Sequence, residues 1–407
     1  MSAAHASTAS ALRMLAIVTG AVILSMTTWF SATAILPQLT EHWALSPGMQ
    51  TWMTNGVQLG FVIGALSLSM VNLPDIAPLR LLMGGAAALA ALANLALLLA
   101  PSGEWALACR IVTGIALAGV YPPALKLIAT WFQRGRGLAM GILIGGLTLG
   151  SAFPHLLRGL SQGFAWTSVV LTASVMTGLG AMLFVLLVRE GPYPFSRAVF
   201  DPRQIGRVLR NRGVAFANLG YFGHMWELYA MWGWFLAFAG AGLGANGTMS
   251  PSQLSLFAFA VIGVGIVGCL SGGWLADRIG RTATTALMMT VSGLCALGIG
   301  LVFDGPDWLL VIVALIWGVS VIGDSAQFSA MTTEIGDPDL VGTALAFQLG
   351  IGFALTMISL ALVPIIADAV GWRWAFLVLV PGPIVGTIAM LVLRRLPEAA
   401  RIAHGQR

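Results

Sequence analysis

Twelve stretches of the chain run for about 20 residues or more with almost no charge, and polar residues collect in the short gaps between them. A helix of about 20 mostly apolar residues crosses the hydrocarbon of a bilayer. The stretches are 12–36, 50–71, 78–100, 105–130, 137–160, 166–188, 213–240, 253–275, 282–303, 308–332, 340–366 and 372–394. They are too long for β-strands and lack a period of two, which excludes a transmembrane barrel. The pattern predicts an all-α membrane protein of twelve spans. Arg13 precedes the first stretch and Ala32-Thr33-Ala34 resembles a signal-peptidase site. The stretch Met14–Leu36 is nevertheless long enough to span, and it is read as an uncleaved first helix.

Orientation follows from the arginines. With an internal N-terminus, sixteen arginines fall on cytoplasmic segments and only Arg158 and Arg373 fall outside. Both termini are therefore expected in the cytoplasm, in an inner membrane. The one long polar stretch, 189–212, carries six arginines against Glu190 and Asp201. It divides the chain into 1–188, a basic linker and 213–407. It reads as an inside anchor or a contact for anionic lipid.

The two parts repeat each other. Gly114 and Gly119 match Gly318 and Gly323 at an offset of 204, and Gly137, Ala139 and Gly145 match Gly342, Ala344 and Gly350 at 205. Trp166 and Trp372 open spans six and twelve. Six spans per repeat is an even number, so the two six-helix bundles run parallel, as in transporters that rock one half against the other.

Composition narrows the function. Of 407 residues, 58% are hydrophobic and 9% charged, too little charge to coat a soluble enzyme or a nucleic-acid binder. The excess of +5 follows membrane topology rather than a nucleic-acid surface. Cys109, Cys269 and Cys295 are an odd, scattered set inside apolar runs, with neither disulfide nor metal spacing. No phosphate-binding Gly-Lys-Ser/Thr loop is present, so ATP is not the expected energy source. No cofactor is expected, and a monomer in the bilayer with protons and a small-molecule substrate as its partners is.

Gly272-Gly-Trp-Leu-Ala-Asp277-Arg278-Ile-Gly280-Arg281 resembles the loop signature of the major facilitator superfamily. Asn72-Leu-Pro-Asp75 through Arg80 looks like a degenerate copy in the first half, and Arg110-Ile-Val-Thr-Gly114 resembles the family's fourth-helix pattern. Trp131 through Gly141, with Arg134 and Arg136, is similar to the opening of span five in anion-handling branches. The resemblance covers essentially the whole chain. It implies alternating access, with spans one, four, seven and ten lining a central cavity.

Charge inside a span costs ~2.5–3.5 kcal/mol on insertion scales, so each instance is a functional candidate. Span four holds Arg110 and Lys126, the only lysine; both suit an anionic substrate, although Lys126 also lies near enough to the cytoplasmic end to snorkel. Tyr121 in span four, Trp29 in span one and Asn55 and Gln58 in span two are further substrate candidates. Tyr221, His224 and Glu227 recur every three residues on one face of span seven. Histidine beside a carboxylate is a proton-handling combination at neutral pH, or else a fixed link to a neighbour. Asp324 and Gln327 share a face of span ten; Asp324 is a second protonatable candidate or a partner for Lys126, and Gln327 a substrate contact. Trp226, Tyr229, Trp232 and Trp234 line a pocket or form the interfacial belt. His155 and Arg158, near the outer mouth, read as loop-associated.

The aligned turns after spans four and ten carry opposite signs: Arg134 and Arg136 in one, Glu334, Asp337 and Asp339 in the other. The family fold makes these a cytoplasmic latch. Asp75, Arg80, Asp277, Arg278 and Arg281 of the two signature loops support it, Asp75 and Asp277 at helix amino ends. The reading that emerges is proton-coupled transport of a small anion. An antiporter exporting amphipathic compounds and a transporter-shaped sensor are the alternatives.

Overall fold

The computed structural model describes residues 8–132, 135–160, 165–193 and 200–406. Every regular element among them is helical. Ten helices are long and apolar enough to cross a membrane. Arg212–Ala239, of 28 residues, and Arg281–Gly298, of 18, stand where spans seven and nine were expected. They are less apolar, because span seven carries Asn218, His224 and Glu227 and span nine is rich in threonine.

The chain forms two compact units, Met1–Pro154 with Phe164–Phe200, and His155–Gly163 with Asp201–Arg407. Within the first, span two (Pro47–Met70) packs on span four, span three (Leu79–Leu95) on span six (Trp166–Leu187), and span one on span six. Within the second, span eight packs on span ten, span nine on span twelve, and span seven on span twelve. The same pairs recur in the same order. The repeat extends to single contacts: a Cβ on Gly114 would strike the carbonyl of Val57, and a Cβ on Gly318 the carbonyl of Val261. Both partners are offset by 204. At these points helix backbones touch, which only glycine permits.

Spans one, four and ten open over several residues, which apolar length alone did not reveal. Span one runs Thr8–Met26, opens at 27–30, and resumes as Ser31–Ala34 and Leu36–Trp43. The sequence Thr27-Thr28-Trp29-Phe30-Ser31 supplies hydroxyls that compete for backbone carbonyls: Thr27 Oγ1 donates to Leu24 O, Thr28 Oγ1 to Ser25 O and Ser31 Oγ to Thr28 O. Span four breaks between Gly103–Leu117 and Tyr121–Ala129, where Pro122 and Pro123 cannot donate into the preceding turn. Span ten breaks at the equivalent place without a proline, between Asp307–Ser320 and Ser325–Ile335.

Span five is helical from Arg136 to Leu160 and contains both His155 and Arg158. His155 is fully buried. A loop therefore does not account for it, because the helix continues past Pro154 to Leu160.

Candidate functional site

The first unit places its candidates around the break in span one. Arg110 on span four is 0% exposed. Its guanidinium donates to Thr28 O at 2.9 Å, Ser31 Oγ at 3.0 Å, Asn94 Oδ1 at 3.3 Å and Met53 O at 3.4 Å, and also to Trp29 O. Freeing two carbonyls from the span-one helix thus creates acceptors for a buried cation. Asn94, on span three, completes the arrangement by donating to Val170 O and Ser174 Oγ on span six. Arg110 and Asn94 together join five spans. Sequence reading had passed over Asn94, although an asparagine within an Ala/Leu run was a signal. The ring of Trp29 lies 5.1 Å from that of Phe61 on span two. Asn55 and Gln58 are buried about two turns and one turn before Phe61, and Tyr121 is half-buried at the start of the second half of span four.

Lys126 does not reach into this region. Its ammonium donates to Asp75 Oδ1 at 2.6 Å and to Pro74 O at 2.7 Å, joining the end of span four to the loop after span two. These residues line a cavity of about 330 Å³ with Glu190, Thr130 and Tyr193. The residues after span six cross its rim. Gly191 N donates to Thr130 Oγ1, Tyr193 N to Thr130 O, and Leu79 N to the Glu190 carboxylate.

The second unit carries the protonatable candidates. His224 Nδ1 lies 2.9 Å from Asp324 Oδ1, and both side chains are almost wholly buried. Glu227 Oε1 instead accepts from Trp317 Nε1 at 2.7 Å. The expected His224–Glu227 pairing is therefore replaced by two separate links to span ten. Residues three apart on a helix stand 60° apart in azimuth, enough to select different partners. Asp324 sits at the cap position where the lower half of span ten begins, so the break orients its carboxylate. Tyr221, His224 and Phe328 form a ring cluster, with Phe328 at 5.7 Å from Tyr221 and 5.4 Å from His224. Tyr229, Trp232 and Trp234 are buried, and Trp226 and Trp234 donate to Val378 O and Leu360 O. These aromatics pack inside the bundle rather than forming an interfacial belt.

Toward the loop after span eight, Arg281 Nη1 donates to Gln327 Oε1 at 2.8 Å, and its guanidinium grips Glu334 at 2.8 Å. Glu334 also accepts from Ala403 N, within the terminal helical turn Pro397–Gly405. Among the other latch candidates, Arg136 donates to Ala129 O, and Asp337 accepts from Asp339 N. Arg278 stacks on Trp274 at 3.8 Å, while Arg80 and Asp277 are exposed. Arg134 lies outside the described residues.

The family model of the Major Facilitator Superfamily matches residues 18–347 and 248–407. The MFS-type transporter hasB of Aspergillus fumigatus is 29% identical over 230 residues, covering 52% of this chain and 49% of that protein. The match thus spans only about half the length of that relative. A gallate transporter of Pseudomonas putida is 24% identical over 356 residues, covering 78% of this chain and 77% of that protein. The crystal structure of a bacterial homolog to the human lysosomal transporter Spinster, in an inward-facing and occupied conformation, superimposes with a TM-score of 0.69 at 16% identity, covering 96% of this chain and 98% of that one. Apolar helices in two like-packed repeats, ion pairs beside the signature loops and a family match along nearly the whole chain lead to one assignment: the protein is a membrane transporter, not an enzyme, and belongs to the Major Facilitator Superfamily.

Proposed function

We propose that this transporter moves a small organic anion by proton-coupled alternating access, as a monomer in an inner membrane with both termini in the cytoplasm. One observation carries the coupling. Asp324 and Glu227 are 1% and 2% exposed; Asp324 Oδ1 lies 2.9 Å from the His224 imidazole and Glu227 accepts from the Trp317 indole N–H, and among the described residues no lysine or arginine is paired to either. A carboxyl group held this way gains or loses a proton without breaking an ion pair to a permanent cation. Intramembrane carboxylates of this kind mark proton relays. The organic-anion class draws support from the likeness to the gallate transporter and from the opening of span five. Arg110 enters this reading as the strut that holds the span-one break open, and Lys126 as the tie to the loop after span two.

The test is uptake into proteoliposomes with gallate and a panel of aromatic and aliphatic acids, with and without an imposed proton gradient. Asp324→Asn and Glu227→Gln are expected to abolish accumulation against a concentration gradient while exchange across the membrane persists. Uphill accumulation that is unchanged in both variants would remove these carboxyls from the coupling.

A further inference from the structure

From Asp201 onward the basic linker belongs to the second unit and is held against it. Asp201 N donates to Thr343 Oγ1 in the first turn of span eleven (Val341–Val370), and the Asp201 carboxylate accepts from Arg203 N and Gln204 Nε2. A short helix, Ile205–Arg210, follows and packs on spans seven and eleven, with Val208 as its buried residue. Asn211 then caps span seven. Its Oδ1 accepts from Val214 N, and its Nδ2 donates to Ile335 O at the end of span ten. The segment is thus fixed at its start, its middle and its end.

Beside it lies a cavity of about 240 Å³ lined by Arg207, Arg210, Asn211, Asp337, Leu340 and Ala344, among others. Both arginines are exposed. Among the described residues neither is ion-paired: Arg207 donates only to the Gln204 side chain, and Asp337 accepts from Asp339 N. Asn211 already uses both ends of its amide. Two guanidiniums with most of their donors unused therefore border one space, and guanidinium forks match phosphate oxygens. The cavity also reaches the start of span eleven, and a helix amino end attracts negative charge. The cavity beside Lys126 in the first unit differs. It carries two acids, Asp75 and Glu190, against one cation that Asp75 already holds, and does not suit an anion.

The level of the cavity identifies the source of the phosphate. Span seven begins at Arg212 and span eleven at Val341, so the cavity lies where two spans enter the bilayer, at the depth of lipid headgroups. Leu209, between the two arginines in sequence, is 43% exposed, as suits a side chain at the boundary with the acyl chains. Arg203 and Arg212 are exposed as well, and the one acid of the segment, Asp201, is engaged as a cap. We propose that Arg207 and Arg210 bind the phosphate of an anionic phospholipid in this cavity, fastening the linker and the start of span eleven to the membrane surface. The like charge of Asp337 weakens the site rather than completing it. The proposal is independent of the proton-coupled reading.

The test is titration of the purified full-length transporter, in a neutral detergent, with dioctanoyl phosphatidylglycerol, phosphatidylethanolamine and phosphatidylcholine and with inorganic phosphate, followed by native mass spectrometry and by melting temperature. Phosphatidylglycerol is expected to bind about tenfold more tightly than either zwitterionic lipid, and inorganic phosphate to leave the melting temperature unchanged. Arg207→Gln and Arg210→Gln should each weaken phosphatidylglycerol about fivefold, and the double variant about twenty-five-fold. Asp337→Asn should tighten it about fivefold. Arg189→Gln, on the same linker but outside the cavity, should leave it unchanged. Melting without lipid verifies that each variant is folded. The site is overturned if both arginine variants keep wild-type affinity, or if Arg189→Gln loses as much as they do, which would mean diffuse attraction. Stabilisation by inorganic phosphate equal to that by phosphatidylglycerol would make it a soluble-anion site instead. Equal binding of phosphatidylethanolamine, with a loss in Asp337→Asn, would make it a zwitterion site and reject the anionic lipid.

Discussion

The two units share one helix-packing plan and use buried charge in opposite ways. In the first, the buried ion is Arg110, charged at every physiological pH, and all its bonded partners are neutral oxygens of backbone, serine and asparagine. In the second, the buried groups are Asp324, Glu227 and His224, all able to change charge. A fixed charge held by carbonyls of a broken helix acts as a strut; on the proton-coupled reading proposed above, the titratable groups of the second unit act as the switch. The ends that carry the signature loops repeat this inversion. The first unit places its cation on span four and its acid after span two, Lys126 to Asp75, and the second places its acid on span ten and its cation at the start of span nine, Glu334 to Arg281. Backbone repetition therefore does not require charge repetition, because packing is set by glycine contacts such as Val57–Gly114 and Val261–Gly318, in which no charge takes part.

The contrast breaks most sharply at Arg110. Arg110→Met removes a donor from five buried oxygens, of which Thr28 O and Asn94 Oδ1 have Ser31 Oγ as another donor, at roughly 1–3 kcal/mol for each one left unsatisfied. The purified variant is expected to lose its cooperative thermal transition, and Arg110→Lys is not expected to restore it, since an ammonium cannot reach acceptors on both sides of the break. Asp324→Asn and Glu227→Gln keep shape and hydrogen-bonding capacity, so their melting temperatures should stay close to wild type while coupling is lost. Equal destabilisation in all three variants would erase the distinction between strut and switch.

Next in size are the glycine contacts. Gly114→Ala and Gly318→Ala each drive a methyl group into a helix carbonyl, an overpacking cost of about 1–3 kcal/mol. The two losses should agree, because the contacts are equivalent. A melt in which one variant is tolerated and the other is not would show that the units are packed less alike than their glycines imply.

The smallest effects belong to the ion pairs at the helix ends. Lys126→Gln should cost about 1 kcal/mol or less, as expected for partly exposed pairs. Glu334→Gln should cost more, because Glu334 also accepts from Ala403 N. Detergent-phase melting curves at low and high salt would compare them, and a loss at Lys126 exceeding that at Glu334 would contradict the ranking.

The span boundaries, the repeat offset and the family motifs were all legible along the chain. Each depends on apolar length or on residues close in sequence. Where a span is unbroken its stretch foretold the helix closely, for example 166–188 against Trp166–Leu187, whereas the first stretch, 12–36, met a helix that ends at Met26. Partners were not legible. Tyr221, His224 and Glu227 look like one functional stripe, yet His224 meets Asp324 and Glu227 meets Trp317. Lys126 looks like an anion ligand, yet it holds Asp75.

What the sequence determined by itself was where the apolar spans lie, how they repeat and which few polar residues are placed inside them. That information lies in hydrophobic length and local spacing, which a bilayer reads directly. Only the tertiary structure decided what each buried polar group bonds to. A polar side chain in an apolar interior takes the nearest complementary atom, and which atom is nearest depends on the rotation of its helix and on the neighbouring helix. For Arg110 it also depends on a break that turns two backbone carbonyls toward it.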